Sequence, residues 1–415
     1  MLAANEHVRA GVLDPVAAEL PPGAQPVRLD FLDPTTAASA LVGVDRLFLL
    51  RPPAISDVTS ALGLLAQAAA VATRDLRHCL RPTAPSHHGA CLEWSSFRCP
   101  YQPGPADVRI VAAIGGNALL RRGERPDAAT QLRHVRAAAQ ALAPLAQDHE
   151  LILCHGNGPQ VGLLALETEA DPALSRPYPL DVLGAQTQGM IGYWLTQALQ
   201  NAGVPAPVVA VVTQTLVASD DPSFAAPTKF IGPVYDEARG RELAGRHGWP
   251  ISRDGEHWRR VVASPEPVGI LELEAVLVLV RAGATVVCCG GGGSPVVRDV
   301  EGVLSGRSAV VDKDLTAALL AIETEADHLL LLTDVAAVQR DFGTDHATPL
   351  SRLSVAELIE MDLPAGSMGP KAEACRRFVD TTGRPATIGA VTQAAAVLAG
   401  TAGTRIEPTE LADPV

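Results

Sequence analysis

From residue 108 onward, short runs of nearly unbroken Ile, Leu, Val, Ala and Cys alternate with longer stretches whose apolar positions recur every three or four residues. The runs fall at 109–114, 150–155, 207–212, 285–289, 327–332 and 385–388. Apolar residues at consecutive positions point to strands covered on both faces, and the amphipathic stretches between them have the length of crossover helices. The pattern predicts an α/β fold of three layers, with an open and mainly parallel sheet between two layers of helices. Residues 217–269, rich in proline, tryptophan and charge, break the alternation and predict a small protruding subdomain.

The first hundred residues read differently. Strands are expected at 26–32 and 46–50 and helices at 35–42 and 56–73, after which the chain turns to His, Cys, Pro and Ser. A Pro- and Gly-rich linker at 100–107 follows. The division predicted is an extra partial α/β segment at 1–105 and a principal domain at 106–408. The stretches Val8-Arg9-Ala10-Gly11-Val12-Leu13-Asp14 and Gly43-Val44-Asp45-Arg46-Leu47 resemble the middle of an NmrA-like reductase domain. Such domains open on a strand and a glycine-rich pyrophosphate turn. That turn has no counterpart before Val8, so a truncated, non-functional segment is expected. Val108 stands where a complete domain of the principal type would begin.

A formal net charge of -13 argues against nucleic-acid or anionic-membrane partners, which need a basic face. A small anion held by local cations in a cleft stays compatible. No apolar run approaches a membrane span and no signal-peptide pattern is present, which points to the cytoplasm. The seven cysteines form no paired framework, as expected of reduced thiols. His87, His88, Cys91 and Cys99 lie close in sequence but lack the second paired cluster of a zinc site, so no protein-held metal is expected.

The cations carry more information. Lysine and arginine together number 33, and only Lys229, Lys313 and Lys371 are lysine. A chain that uses arginine almost everywhere is expected to keep lysine where a compact ammonium on a flexible stem must follow a moving phosphoryl group. Lys229 and Lys371 stand among glycine and proline, and glycine turns follow three of the strands. These are Gly115-Gly116-Asn117-Ala118, His155-Gly156-Asn157-Gly158-Pro159-Gln160 and Gly290-Gly291-Gly292-Gly293-Ser294. Turns of this kind aim backbone amides at an anion at the carboxyl ends of strands, where open α/β sheets bind ligands.

In order and spacing these motifs, with Thr187-Gln188-Gly189-Met190-Ile191-Gly192-Tyr193-Trp194, Pro227-Thr228-Lys229, Trp258-Arg259-Arg260-Val261-Val262, Asp312-Lys313-Asp314 and Gly366-Ser367-Met368-Gly369-Pro370-Lys371, resemble the carbamate kinases of the amino acid kinase superfamily over residues 108–407. Most of that superfamily carries a lysine on the first strand before the glycine pair. Carbamate kinases supply it from a protruding subdomain, which Lys229 matches. Phe230 departs from the proline that often follows this lysine.

The resemblance implies the amino acid kinase fold and reversible phosphoryl transfer between ATP and carbamate, giving ADP and carbamoyl phosphate. It also implies Mg2+ carried with the nucleotide, ATP formation in arginine or agmatine breakdown, and a homodimer. Residue by residue, Lys229, Lys313 and Lys371 would neutralise the transferred phosphoryl group, with Lys371 also on the nucleotide side, and Asp314 would hold the lysines in register. Gly115, Gly116, Asn117, Gly156, Asn157 and Gly158 would frame carbamate and phosphate. Gly290, Gly291, Gly292, Gly293, Thr333 and Asp334 would line the nucleotide.

Several alternatives remain at this point. The chain reads also as another acylphosphate-forming amino acid kinase, which the missing first-strand lysine disfavours, or as an inactive kinase-like scaffold or sensor, which the full lysine set disfavours. Asn117 and Asn157 read equally as helix caps. His155 is a candidate base at the end of a buried strand, and Tyr193 and Trp194 fit core or dimer packing.

Overall fold

The structure, a computed structural model, describes residues 8–12, 24–28, 46–48, 77–79, 108–121, 123–361, 363 and 368–409, the side chain of Asn117 excepted. The chain separates into two compact units, Met1–Ser96 and Phe97–Val415. In the first, Val8–Val12 pairs in parallel with Ala24–Arg28, and Arg46–Phe48 with Arg77–Cys79. The helices expected at 35–42 and 56–73, the His87, His88, Cys91 and Cys99 group, and the linker at 100–107 lie outside the described residues.

The second unit is built on an eight-stranded sheet. Its strands are β1 (Arg109–Ile114), β2 (Glu150–His155), β3 (Val208–Ala210), β4 (Thr285–Val287), β5 (His328–Thr333), β6 (Arg352–Ser354), β7 (Ala386–Ala390) and β8 (Thr404–Glu407). They lie in the order β6-β8-β7-β5-β1-β2-β4-β3, and every neighbouring pair is parallel except β7 with β8.

Successive side chains of a strand point to opposite faces, and here both faces are dry. Val111, Ala113, Ile152, Cys154, Leu329 and Leu331 enter one core with α4 (Lys313–Glu323) and α5 (Met368–Thr382). Ile110, Ala112, Ile114, Leu151, Leu153, Leu330 and Leu332 enter the other with α1 (Ala128–Asp148) and α3 (Leu180–Asn201). The unbroken apolar runs thus follow from three layers, the α/β arrangement the sequence predicts.

The run at 207–212 is cut short. Only Val208–Ala210 joins the large sheet, and Gln214–Val217 crosses into a second sheet of order Pro267–Ile270, Gln214–Val217, Ser294–Arg298, Leu304–Gly306. The crossing is pinned at Thr213, whose backbone N–H and hydroxyl both donate to Gln188 Oε1 of α3, at 2.9 and 3.0 Å.

Within 217–269 the chain builds an antiparallel sheet of order Ile251–Asp254, His257–Val262, Lys229–Tyr235 and a helix, Glu237–His247, capped by the Asp236 carboxylate. Its apolar base, Ile231 and Val262, packs with Val161 and Ala165 of α2 (Gly158–Ala170).

Candidate active site

The carboxyl ends of β5, β1, β2 and β4 meet at one level. The Gly115 N–H donates to the Leu332 carbonyl and the Gly156 N–H to the Ile114 carbonyl, each at 2.8 Å. The turns after β1 and β2 then pass in backbone contact, since a methyl on Gly156 would lie 2.5 Å from Gly116 N. On the other side of β1, the Thr333 hydroxyl donates to Asp334 at 3.0 Å, and a Cβ on Gly115 would sit 3.8 Å from that hydroxyl oxygen.

The third turn follows β4. Cys289 is left-handed at φ 51 and leads into the 3-10 turn Gly290–Gly292. This turn is wedged against the one that follows β2, because a methyl on Gly291 would come within 2.1 Å of Asn157 Nδ2. The Asn157 amide in turn donates to the Thr187 hydroxyl at 2.9 Å. The Gly292 carbonyl accepts from Thr215 Oγ1 at 2.7 Å and Thr316 Oγ1 at 3.1 Å, tying the turn to the second sheet and to α4.

Two aspartates gather the lysines. Asp312 caps α4, its Oδ1 accepting from the Asp314 N–H at 2.9 Å, as an aspartate before an amphipathic run is suited to do. Its Oδ2 accepts from Lys229 Nζ, at the start of the strand Lys229–Tyr235 of the three-stranded sheet. Asp314, two residues on, accepts from Lys313 Nζ at 2.5 Å and from Lys371 Nζ, in the first turn of α5, at 3.0 Å. Three ammonium groups against two carboxylates leave one net positive charge in a largely buried setting, which favours an anion.

Burial by itself pushes the Asp314 carboxyl up, and the Lys313 and Lys371 ammonium groups outweigh it, holding the carboxyl well below its ordinary range. Asp312 behaves alike, with burial opposed mainly by Lys229 and the net direction down. Burial lowers Lys313 more than Asp314 raises it, whereas for Lys371 burial is outweighed by Asp314 and the ammonium form is favoured. His155 is 1% exposed and is pushed down to about 4, first by burial and also by the Lys313 charge, so its imidazole is neutral near pH 7. A methyl on Gly290 would lie 2.2 Å from its Nε2.

The structure thus places Gly115, Gly116, Gly156, Asn157, Gly291 and Gly292 in one chain of contacts that runs from Thr333 and Asp334 to the lysine cluster. Gly158 opens α2 with free space around it. The Asn117 side chain, Gly366 and Ser367 lie outside the described residues. Lys229 sits on Asp312 rather than on Asp314. Thr187, Gln188 and Asp312 stand in the motifs read from sequence but had no role assigned there, and Thr213, Thr215 and Thr316 were not singled out. Asp312 alone had a readable signal, as a capping residue before a helix.

The amino acid kinase family profile matches residues 108–390. A carbamate kinase of Rhizobium meliloti strain 1021 is 48% identical over 302 residues, covering 72% of this chain and 93% of that protein. One of Escherichia coli strain K12 is 48% identical over 297 residues, covering 72% and 98%. The carbamate kinase from Giardia lamblia bound to AMP-PNP superposes with a TM-score of 0.66 at 36% identity, over 73% of this chain and 99% of that one. The profile and these relatives, covered almost end to end, meet on the unit that holds the lysine cluster: the chain belongs to the amino acid kinase family and, within it, to the carbamate kinases.

Proposed function

We propose that this chain transfers a phosphoryl group reversibly between carbamoyl phosphate and ADP, giving carbamate and ATP. The observation that carries the reading is the convergence of all three lysines of the chain on two buried carboxylates beside the glycine turns. In-line phosphoryl transfer needs positioning and charge neutralisation rather than covalent catalysis. Lys229, Lys313 and Lys371 supply mobile cations for the equatorial oxygens, with Lys371 also on the nucleotide side, and Asp314 keeps Lys313 and Lys371 charged and aligned.

The turns at Gly115, Gly116, Asn117, Gly156, Asn157 and Gly158 frame carbamate and the moving phosphate. Those at Gly290, Gly291, Gly292 and Gly293, with Thr333 and Asp334, face the nucleotide. Carbamate already presents an anionic oxygen, so no general base is required. The neutral, enclosed His155 serves packing.

The donor set fits a cation carried by the nucleotide. Mg2+ would travel with the nucleotide, where it would offset the charge of the phosphate oxygens. We assign the chain to ATP formation in arginine or agmatine breakdown, in the cytoplasm and as a homodimer. Among the described residues no helix is long and apolar enough to cross a membrane.

The test is a coupled assay. ATP should form from ADP, Mg2+ and carbamoyl phosphate, and ATP should not phosphorylate acetylglutamate, aspartate or uridylate. Turnover with acetylglutamate and none with carbamoyl phosphate would sink the assignment.

A further inference from the structure

A second polar cluster lies away from the lysines, where the protruding subdomain meets α2. Glu169, near the end of α2, is one-tenth exposed. Its Oε1 accepts from Trp249 Nε1 and from Arg260 Nη1, both at 3.0 Å, and its Oε2 lies 3.4 Å from His247 Nδ1. The three partners also hold one another: the Arg260 guanidinium lies 4.4 Å over the Trp249 ring, and His247 stacks on Trp249 at 4.7 Å. All three belong to the subdomain, so one carboxylate of α2 collects its helix end, its turn and its central strand.

A second contact stands seven residues earlier on the same helix. Gly162 meets Gly232 backbone to backbone, and a methyl on Gly162 would lie 2.1 Å from Gly232 Cα. The two contacts are about 10 Å apart along the helix axis, so together they fix the rotation of the subdomain as well as its distance.

Both lead to the site. Gly232 follows Lys229 by three residues on one strand, about 10 Å of extended chain. Arg260 pairs with Ile231, and Val262 with Lys229, in the sheet register. At its other end, α2 starts at the Gly156-Asn157-Gly158 turn. One helix therefore carries the phosphate-side turn and the seat of the arm that delivers Lys229.

We propose that Glu169 and Gly162 are positioning residues that seat the protruding subdomain on α2 and so set the reach of the Lys229 ammonium. This rests on the reading that Lys229 takes part in phosphoryl transfer. A misplacement of about 1 Å in a positioned group costs on the order of 100-fold in rate, so a loosened seat is expected to show in kcat.

The experiment compares Glu169→Gln, Lys229→Ala and the double variant in the full chain, by ATP formation from ADP and carbamoyl phosphate. Glu169→Gln should lower kcat on the order of tenfold with little change in KM for ADP. In the Lys229→Ala background it should change kcat less than about twofold, since the group it positions is gone. Gly162→Ala should repeat the pattern if Glu169→Gln fails to fold. Effects that multiply in the double variant, or an unchanged kcat in both seat variants, overturn the proposal. A fully active Lys229→Ala overturns the role of Lys229 itself, and the two failures are distinguishable.

Discussion

Replacing Asp314 by Asn removes one negative charge and leaves two buried ammonium groups nearly in place. With an effective dielectric of about 20, the attractions at 2.5 and 3.0 Å are about 7 and about 6 kcal/mol before desolvation. Desolvation costs several kcal/mol per ion, so the net effect of breaking such a buried set is about 3–5 kcal/mol of stability. The direction for the lysines is also fixed. Burial disfavours their charged forms and Asp314 favours them, so without the carboxylate both ammonium groups deprotonate at lower pH.

The alkaline limb of kcat should therefore move to lower pH. At pH 7 kcat should fall on the order of 100-fold, the loss typical of a preorganised transition-state donor. Denaturant unfolding measures the first effect, and ATP formation followed from pH 7 to 10 the second. A stability loss under about 1 kcal/mol with an unmoved alkaline limb would refute the assignment of Asp314 as the shared counter-ion.

Lys313→Arg and Lys371→Arg should each lower kcat on the order of 100-fold, and Lys229→Arg less. The Lys229 side chain is 29% exposed, against 12% for the other two, so a larger head group meets less crowding there. Near-normal kcat in all three variants would show that the ammonium shape is irrelevant. His155 should weaken the fold in acid. Its folded value of about 4 lies below the unfolded value of about 6.5, so the unfolded chain binds the extra proton between them. Stability is full above about pH 6.5 and drops by about 2 kcal/mol on going from pH 7 to 5. Subtracting the same titration of His155→Gln isolates this contribution from His328, whose burial acts with the same sign, and equal slopes in the two proteins would contradict it. A chain beginning at Val108 should keep the turnover and thermal midpoint of the full chain, measured side by side, and loss of most turnover would make residues 1–107 part of the enzyme.

What could be read from sequence, and what could not, divides along a physical line. Six of the eight strands of the large sheet were legible from continuous apolar runs, whereas β6 and β8, whose burial alternates along the strand, were not. The lysines stood out because the chain keeps this residue at only three places, and the fold brings all three onto two aspartates. The break after Ala210 was not legible, because it depends on Gln188 of α3 capturing Thr213 from 25 residues away. Nor was the seat at Glu169, whose partners Trp249 and Arg260 lie 80 and 91 residues along the chain and share no periodicity with it. The sharpest case is inside the site. Asp312 and Asp314 stand two residues apart, and which lysine each takes is decided by geometry that only the fold supplies. Asp314 lies inside α4, where it faces Lys371 on the packed helix α5. Asp312 sits at the cap, on the side from which the subdomain reaches in. With 46 acidic residues in the chain against three lysines, scarcity singles out the cations and is silent about their partners.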